Sequence, residues 1–87
     1  MDIEFDPAKD EANIAKHGVS LARAADFDFD VALLDRRFVE ETRYRAFGQL
    51  DGRLHCLAFT MRGSTVRAIS LRRARTKELR RHTAPAR

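Results

Sequence analysis

The first third of the chain has a pattern of apolar and polar positions that predicts a short strand followed by helices. The segment IEF predicts the strand. Asp6 is a suitable helix N-cap, and Pro7 suits the first helical position because it lacks an N–H. Gly18 supplies the left-handed residue that commonly ends a helix, so the sequence predicts a helix from about Pro7 to about His17. Ser20 then caps a second, short helix over LARAADF.

From residue 41 onward the pattern predicts β-strands joined by two tight turns. The pair Asp51-Gly52 favours a type I′ hairpin turn, because both residues tolerate a positive φ. That turn pairs Leu50 with Arg53 and fixes the register of the two strands. Further along the hairpin, the predicted pairs are Phe47 with Cys56, Arg45 with Ala58 and Arg43 with Thr60.

A second turn at Gly63-Ser64 suits type II′, because glycine comes first. It pairs Arg62 with Thr65, and from there Arg67 with Thr60 and Ile69 with Ala58. One face of the predicted sheet therefore carries arginines at one end, with Cys56, Ile69 and Leu71 further along. The other face is the better candidate for the core, with Tyr44, Leu57, Phe59, Met61, Val66 and Ala68.

The position of Arg72 depends on how regular the last strand is. Arg72 comes five residues after Arg67, so in a regular strand the two side chains point to opposite faces. Only a bulge or the strand end brings them together. From Arg73 onward the chain is rich in Arg, Lys, Glu and Leu, which predicts a C-terminal helix. We therefore expect an α+β fold: a small antiparallel β-sheet with two N-terminal helices and a C-terminal helix.

Length and composition limit the class of protein. Eighty-seven residues close one modest core, so we expect a single domain over residues 1–87. No apolar run approaches the roughly 18 residues of a membrane span and no secretory leader is visible, so we expect a cytoplasmic protein without membrane contact. The single cysteine, Cys56, has no companions at zinc spacing and is predicted to be a small core residue. We expect no metal and no cofactor.

The net charge of +4 conceals a strong asymmetry along the chain. Residues 1–61 contain 8 Lys and Arg against 12 Asp and Glu, a net charge of −4. Residues 62–87 contain 9 Lys and Arg against the single Glu78, a net charge of +8. Counterion release makes such a basic segment attractive to RNA or DNA alike. A basic surface that docks an acidic protein explains the same charge.

Several motifs follow one another along almost the whole chain: FDPAK, N-x-x-KHGVSL, YRAFG and RAISLRRA with a following Glu. With these motifs the chain resembles the BrnT-type ribonuclease toxins of bacterial type II toxin–antitoxin pairs. It departs from their pattern at Asp6, where an aromatic residue is expected, and at His82, where relatives tend to carry Tyr. The resemblance implies a RelE-like fold, RNA cleavage that halts translation, and neutralisation by a cognate BrnA-like antitoxin. It also implies a toxin–antitoxin heterotetramer that binds operator DNA through the antitoxin.

Metal-independent RNA cleavage by the 2′-hydroxyl needs a proton acceptor, cations for the charge that grows on phosphate, and an acid for the leaving oxygen. Arginine suits the cationic role, because its planar fork binds two phosphate oxygens and keeps its charge. We assign this catalytic role to Arg43, Arg67 and Arg72. In the alternative interpretation, these arginines are solvated strand ends with local ion pairs.

Proton transfer has fewer candidates. His17 is a catalytic candidate because a histidine pKa lies near about 6.5, although at a helix C-terminus it can also cap carbonyls. Glu78 is the single acid of the basic segment, and it either takes part in catalysis or orients an arginine. The remaining basic candidates are expected to bind RNA: Lys16, Arg45, Arg62, Arg75 and Arg80.

Two functions are compatible with these observations. The first is a metal-independent endoribonuclease toxin that needs no cofactor and has RNA and an antitoxin as partners. The second is a non-catalytic module that binds nucleic acid or docks an antitoxin. The charge supports both, because either one needs a basic surface. An active toxin should arrest growth when it is induced, whereas a docking module should not.

Overall fold

The computed structural model describes residues 2–27, 33–38 and 42–83, which form one sheet with helices packed against it. In chain order the elements are β1 (Asp2–Glu4), α1 (Pro7–His17), a 3₁₀ helix (Leu21–Asp26), β2 (Leu33–Phe38), β3 (Thr42–Leu50), β4 (Arg53–Arg62), β5 (Thr65–Arg73) and α2 (Thr76–Thr83). Within these ranges the side chains of residues 33–38, 42 and 81–83 are not described, so the departure at His82 lies outside the described side chains. None of the described helices is long and apolar enough to cross a membrane.

The helix α1 begins and ends where its capping residues predict. Asp6 Oδ1 accepts a hydrogen bond from the Ala8 N–H at 2.9 Å, and Pro7 occupies the first turn, where no intrahelical N–H is needed. At the other end Gly18 adopts a φ of 75° and donates its N–H to the Ile14 carbonyl at 2.8 Å. The prediction of this helix is confirmed.

The second N-terminal helix is a short 3₁₀ helix. Ser20 caps it as predicted, since its Oγ accepts the Ala22 N–H at 3.1 Å. Asp10 of α1 accepts hydrogen bonds from Ser20 Oγ at 2.9 Å and from the Leu21 N–H at 2.7 Å, which fixes this turn against α1. Leu21 and Ala24 are fully buried as a result and extend the core beneath the sheet.

The sheet has the strand order β1-β5-β4-β3-β2. The strands β2 to β5 pair antiparallel with their sequence neighbours, as short turns require. The strand β1 instead pairs with β5 in parallel, so that Ile3 lies beside Val66 and Glu4 lies beside Arg67. The prediction of a purely antiparallel sheet is therefore wrong. Most of the chain separates β1 from β5, and no hairpin turn sets the relative direction of these two strands.

The first predicted hairpin is confirmed from its turn to the far end of the recorded pairing. Asp51 and Gly52 have φ values of 55° and 77°, which is the pattern of a type I′ turn. Leu50 pairs with Arg53, and the register then continues as far as Tyr44. The confirmed pairs along this register include Phe47 with Cys56 and Arg45 with Ala58.

The second hairpin starts in the predicted register and then shifts by one residue. Thr60 pairs with Arg67, as predicted. Phe59 still pairs with Ala68, and the register changes after that pair. Ala58 therefore pairs with Ser70 rather than with Ile69, so that part of the prediction is wrong. The extra residue on β5 is a β-bulge, which reverses the in-and-out alternation of the strand beyond it.

The bulge places Arg67 and Arg72 on the same face of the sheet. Arg67 lies opposite Thr60 and Arg72 lies opposite Cys56, and these two residues of β4 have the same parity. Leu71 moves to the other face, where it is fully buried, although the sequence analysis placed it beside Cys56. The bulge thus brings together two arginines that a regular strand would separate.

The face predicted to form the core does so, except at its end. The buried apolar cluster consists of Leu21, Ala24, Phe27, Ala46, Leu50, Leu57, Phe59, Val66, Ala68 and Leu71. Met61 is 41% exposed, because it lies next to the β4–β5 turn. Cys56 lies on the opposite face, is free and only 2% exposed, and burial raises the pKa of its thiol. Its prediction as a small buried residue is confirmed.

Candidate active site

Arg72 and Glu78 form a bidentate, or two-pronged, ion pair at the junction between β5 and α2. Arg72 Nη1 lies 2.8 Å from Glu78 Oε1, and Nη2 lies 3.0 Å from Oε2. Glu78 Oε1 also accepts the backbone N–H of Arg75 at 2.8 Å, the contact by which an acid in the first turn closes the start of a helix. The two side chains are only 15% and 13% exposed. This geometry fixes the plane of the Arg72 guanidinium.

Arg45 approaches the same carboxylate from β3. Its Nη1 lies 3.8 Å from Glu78 Oε2, and its guanidinium carbon lies 5.4 Å from the centre of the Phe47 ring, a cation–π distance. Phe47 is 2% exposed and gives Arg45 a rigid base. We name Arg45, Arg72 and Glu78 the Arg72 cluster. In this cluster two guanidiniums approach one carboxylate.

The contacts of the Arg72 cluster set its protonation state. The hydrogen bond from Arg72 is the main cause that lowers the pKa of Glu78 from 4.5 to about 2. The same hydrogen bond raises the pKa of Arg72. At neutral pH Glu78 is therefore a carboxylate and has no proton to donate. An anion that takes its place meets two guanidiniums, of which that of Arg72 is already oriented for two-pronged binding.

Arg67, toward the other end of β5, has a carboxylate of its own. Its Nη1 lies 2.7 Å from Glu4 Oε2, and Arg62 Nη1 lies 3.7 Å from the same oxygen. The side chains of Arg67 and Glu4 are 33% and 37% exposed, respectively. We name Arg67, Arg62 and Glu4 the Arg67 cluster. Glu4 offsets the repulsion between its arginines, a role that the sequence analysis did not assign.

The two clusters share a face of the sheet but are well separated on it. Arg67 and Arg72 lie opposite Thr60 and Cys56, which are four residues apart on β4 and therefore separated by roughly 13 Å at ~3.3 Å per residue. Each arginine also turns toward its own carboxylate. The structure thus brings Arg67 and Arg72 to one surface without bringing them to one binding point.

His17 is positioned by Asn13, which ties α1 to the edge of β5. Asn13 Nδ2 donates to the Leu71 carbonyl at 2.9 Å, and its Oδ1 accepts the Leu71 N–H at 3.2 Å. Nδ2 also donates to the Val19 carbonyl at 2.8 Å. The amide satisfies backbone groups that a neighbouring strand would otherwise pair. His17 comes four residues later on the same face of α1, so this anchor holds it near the end of β5.

His17 lines a cavity of about 280 Å³ that lies beside the β3–β4 turn. The cavity is also lined by Arg53, His55 and Arg73, and we name it the turn-end cavity. His55 is 7% exposed, and its Nδ1 lies 2.9 Å from the Arg53 carbonyl. Arg73 follows Arg72 directly, so its side chain lies on the opposite face of the sheet. The structure therefore places His17 next to the Arg72 cluster, not within it.

Positive charge and burial control the proton affinity of His17. Burial is the main cause that lowers its pKa from 6.5, and the charges of Lys16, Arg72 and Arg75 lower it further. His17 is therefore a neutral imidazole at neutral pH and can accept a proton. The charge of Arg72 thus acts on His17, although the two side chains belong to different surfaces.

The other predicted residues are exposed and lie outside both clusters: Lys16, Arg43, Arg75 and Arg80. Sequence reasoning missed the contributions of Glu4, Asn13 and His55. Asn13 belongs to the motif N-x-x-KHG, which was a usable signal, whereas the partner of Glu4 depends on the parallel pairing of β1. Within the described residues, no group of three His, Cys, Asp or Glu side chains is arranged to hold a metal ion.

Comparisons with known proteins identify the family of this chain. The family model described as the ribonuclease toxin BrnT of type II toxin–antitoxin systems matches residues 5–78, a range that contains the whole Arg72 cluster. The structure is similar to the crystal structure of the Brucella abortus ribonuclease toxin BrnT, with a TM-score of 0.71 and 31% identity over 87% of this chain and 99% of that chain. A search of curated proteins finds no match. This chain therefore belongs to the BrnT family of ribonuclease toxins of type II toxin–antitoxin systems.

Proposed function

We propose that the protein is an endoribonuclease that cleaves RNA without a metal ion, with the Arg72 cluster as its phosphate-binding centre. The observation that supports this most is the two-pronged Arg72–Glu78 pair, with Arg45 at the same carboxylate, in a chain of the BrnT family. Two guanidiniums around one carboxylate make a site for an anion with two acceptor oxygens. The phosphodiester of RNA offers the same pair of acceptors.

In the proposed reaction the 2′-hydroxyl of RNA attacks the adjacent phosphorus and the bond to the 5′-oxygen breaks. The products are a 2′,3′-cyclic phosphate and a 5′-hydroxyl end. The phosphate displaces Glu78, and Arg72 and Arg45 offset the negative charge that grows on the phosphate oxygens. Glu78 is then a positioning residue, because it orients Arg72 before RNA binds.

We assign acceptance of the 2′-hydroxyl proton to His17. Its lowered pKa keeps the imidazole neutral at neutral pH, and the charge of Arg72 contributes to that shift, which indicates that the two groups are near each other. The leaving 5′-oxygen takes a proton from the resulting imidazolium or from water. The imidazolium would be short-lived, because the surrounding positive charges disfavour it.

The remaining basic residues bind RNA beyond the cleaved phosphate. Arg67 was assigned to catalysis with Arg43, and its separation of roughly 13 Å from Arg72 along the sheet favours contact with a different phosphate. Such contacts add affinity that falls as salt increases. The residues in this group are Lys16, Arg43, Arg62, Arg67, Arg75 and Arg80.

We extend the proposal to the toxin–antitoxin context. RNA cleavage halts translation in the cytoplasm, a small BrnA-like antitoxin neutralises the enzyme, and the two form a heterotetramer that binds operator DNA through the antitoxin. A RelE-like relationship of the fold belongs to the same proposal. Support comes from the type II toxin–antitoxin family and from the +8 charge of residues 62–87, which an acidic antitoxin segment would complement.

Cleavage of RNA in EDTA tests the proposed function. Total RNA and translating ribosomes are incubated with the purified protein, and the new ends are identified by enzymatic phosphate removal. Cleavage that yields 2′,3′-cyclic phosphate ends without divalent ions is the expected result. Strict dependence on magnesium would exclude this mechanism, and intact RNA under all conditions would exclude the activity.

A non-catalytic RNA-binding or antitoxin-docking module is the second candidate. It is favoured by one observation: Arg72 and Arg67 each already contact a carboxylate, as structural ion pairs do. Induction in a host cell separates the two candidates. An active ribonuclease arrests growth and Arg72→Ala relieves the arrest, whereas a docking module leaves growth unchanged in both forms.

A further inference from the structure

The turn-end cavity is a second positively charged site at the end of the sheet. It lies beside the Asp51-Gly52 turn, and at about 280 Å³ it is near the small end of ligand pockets, which run from roughly 300 to 1,000 Å³. His17 and His55 line it together with Arg53 and Arg73. Among these four residues only His17 was assigned to the site from the sequence.

Two arginines give the cavity its charge. Arg53 and Arg73 are exposed, and neither forms an ion pair with a carboxylate in the described part of the chain. Asp51, the one acid in the wall, is bound by Arg23, whose Nη2 lies 2.8 Å from Oδ1. Arg23 also contacts Asp26 at 2.9 Å, so it offsets part of the charge of the acid that would repel an anion. The two unpaired guanidiniums are left to attract one.

The histidines add hydrogen-bonding groups that suit a nucleotide. His55 Nδ1 lies 2.9 Å from the Arg53 carbonyl, and since a carbonyl only accepts, Nδ1 carries the proton. In this tautomer Nε2 is the acceptor for an N–H or O–H of a ligand. Val19 and Leu50 supply apolar wall for a base or a ribose. Polar groups around a small apolar wall are the usual composition of a ligand site.

The cavity adjoins the Arg72 cluster around the end of β5. Arg72 and Arg73 are consecutive, so their side chains lie on opposite faces of the strand. His17 belongs to the cavity and lies within the electrostatic influence of Arg72. A single strand of RNA that crosses the end of β5 would therefore meet the Arg72 cluster first and the cavity next.

We propose that the turn-end cavity is a nucleotide subsite, in which Arg53 and Arg73 hold the phosphate of the RNA nucleotide next to the cleaved bond. The inference rests on the proposed function, because it takes the Arg72 cluster as the cleavage centre. Its volume admits one nucleotide, so it extends the contact with RNA by one residue. Occupation of the subsite positions the scissile phosphate at Arg72 and brings the 2′-hydroxyl toward His17.

Binding of a mononucleotide tests the subsite without any reaction. Uridine 5′-monophosphate, which carries the phosphate assigned to Arg53 and Arg73, is titrated into the wild-type protein while the imidazole signals of His17 and His55 are followed by NMR. Both signals should shift, and Arg53→Ala or Arg73→Ala should weaken the affinity by about tenfold, the scale for one charge-assisted contact. Lys9→Ala removes an equal charge at the far end of α1 and should leave the affinity unchanged.

A parallel titration with inorganic phosphate asks whether more than the phosphate is recognised. Weaker binding than that of the mononucleotide is expected, because the base and ribose lose their contacts. Equal affinity for both probes would overturn the nucleotide assignment. Signals of His17 and His55 that do not respond to the mononucleotide would overturn the subsite altogether.

Kinetics with RNA then link the subsite to cleavage. With a tetranucleotide as substrate, Arg53→Ala and Arg73→Ala should raise KM by about tenfold and change kcat little. With a dinucleotide, which is too short to reach the cavity, the two variants should have the same KM as the wild type. Equal effects on both lengths would contradict the inference. If the wild type leaves RNA intact, the proposed function fails, whereas normal cleavage without a nucleotide response at the cavity would refute only the subsite.

Discussion

The two clusters on β5 place the same residue type in different surroundings. Arg72 is 15% exposed and makes two hydrogen bonds to Glu78. Arg67 is 33% exposed, makes one hydrogen bond to Glu4, and shares that oxygen with Arg62. Water and salt screen a buried charge less than an exposed one, so the same guanidinium has the stronger field at Arg72. The surroundings therefore favour Arg72 over Arg67 as the centre of the proposed reaction, a choice that the charge count of residues 62–87 could not make.

The difference extends to the neighbours of each arginine. Arg72 shares its carboxylate with Arg45 and has His17 within its electrostatic influence. Arg67 shares its carboxylate with the exposed Arg62, and none of the described histidines is recorded near it. A reaction at phosphate needs both charge stabilisation and proton transfer, and among the described side chains the Arg72 side of β5 has a candidate for each. Four predictions test this contrast, beginning with the largest effect.

Arg72→Ala should have the largest effect. The variant loses the two-pronged contact with the phosphate, and the single-turnover rate constant at saturating RNA should fall by about two to three orders of magnitude. Arg72→Lys should restore only part of this loss, because a point charge cannot reproduce the planar fork. A thermal melt checks that both variants are folded. Full activity in a folded Arg72→Ala protein would remove the basis for placing catalysis at this cluster.

Loss of His17 should have the next largest effect. His17→Ala should lower kcat/KM by about two orders of magnitude, the lower range for a proton-transfer group.

In the wild type kcat/KM should decrease as pH falls below about 6.5, because protonated His17 cannot accept a proton. Lys16→Ala removes a charge that lowers the His17 pKa, so this acid limb should move to higher pH. Lys9→Ala is the matched control, because Lys9 lies roughly 12 Å from His17 along α1 at ~1.5 Å per residue. An unmoved limb would argue against His17 as the group that titrates.

Glu78→Gln should change stability at acid pH more than activity at neutral pH. The pKa of Glu78 is about 2 in the folded protein against an ordinary value of 4.5, so the folded state favours the carboxylate. The stability that this contributes is fully present above about pH 4.5 and is lost as pH falls toward about 2. Chemical denaturation between these pH values should show a shallower decline for Glu78→Gln than for the wild type. Parallel declines would mean that the Arg72–Glu78 pair does not contribute to folding.

The local features of the fold follow from the sequence, because single residues determine them. Asp6, Pro7 and Gly18 set the ends of α1, and Asp51-Gly52 sets a hairpin register that holds over the recorded pairing. The parallel partner of β1 could not be predicted in this way. Its position depends on how the finished sheet buries Ile3 beside Val66, and no local signal encodes that contact.

The candidate site could be predicted in part. Arg72 and Glu78 were chosen from residue type and resemblance, and the structure joins them. That Arg72 shares a face with Arg67 depends on a bulge at Ile69, and a strand pattern alone gives no position for a bulge. The turn-end cavity was missed because its walls come from α1, β4 and β5, and only the packed fold brings these elements together.

Arg67→Ala should have the smallest effect on cleavage. Measured beside Arg72→Ala, it gives the most direct test of where the cleavage centre lies. Single-turnover cleavage of one RNA in EDTA is compared for Arg67→Ala and Arg72→Ala, with protein in excess so that binding does not limit the rate. The account predicts that Arg72→Ala loses about two to three orders of magnitude, whereas Arg67→Ala stays within about threefold of the wild type and shows only weaker, less salt-dependent RNA binding. Equal losses in the two variants, or a larger loss for Arg67→Ala, would contradict the assignment of the cleavage centre to the Arg72 cluster.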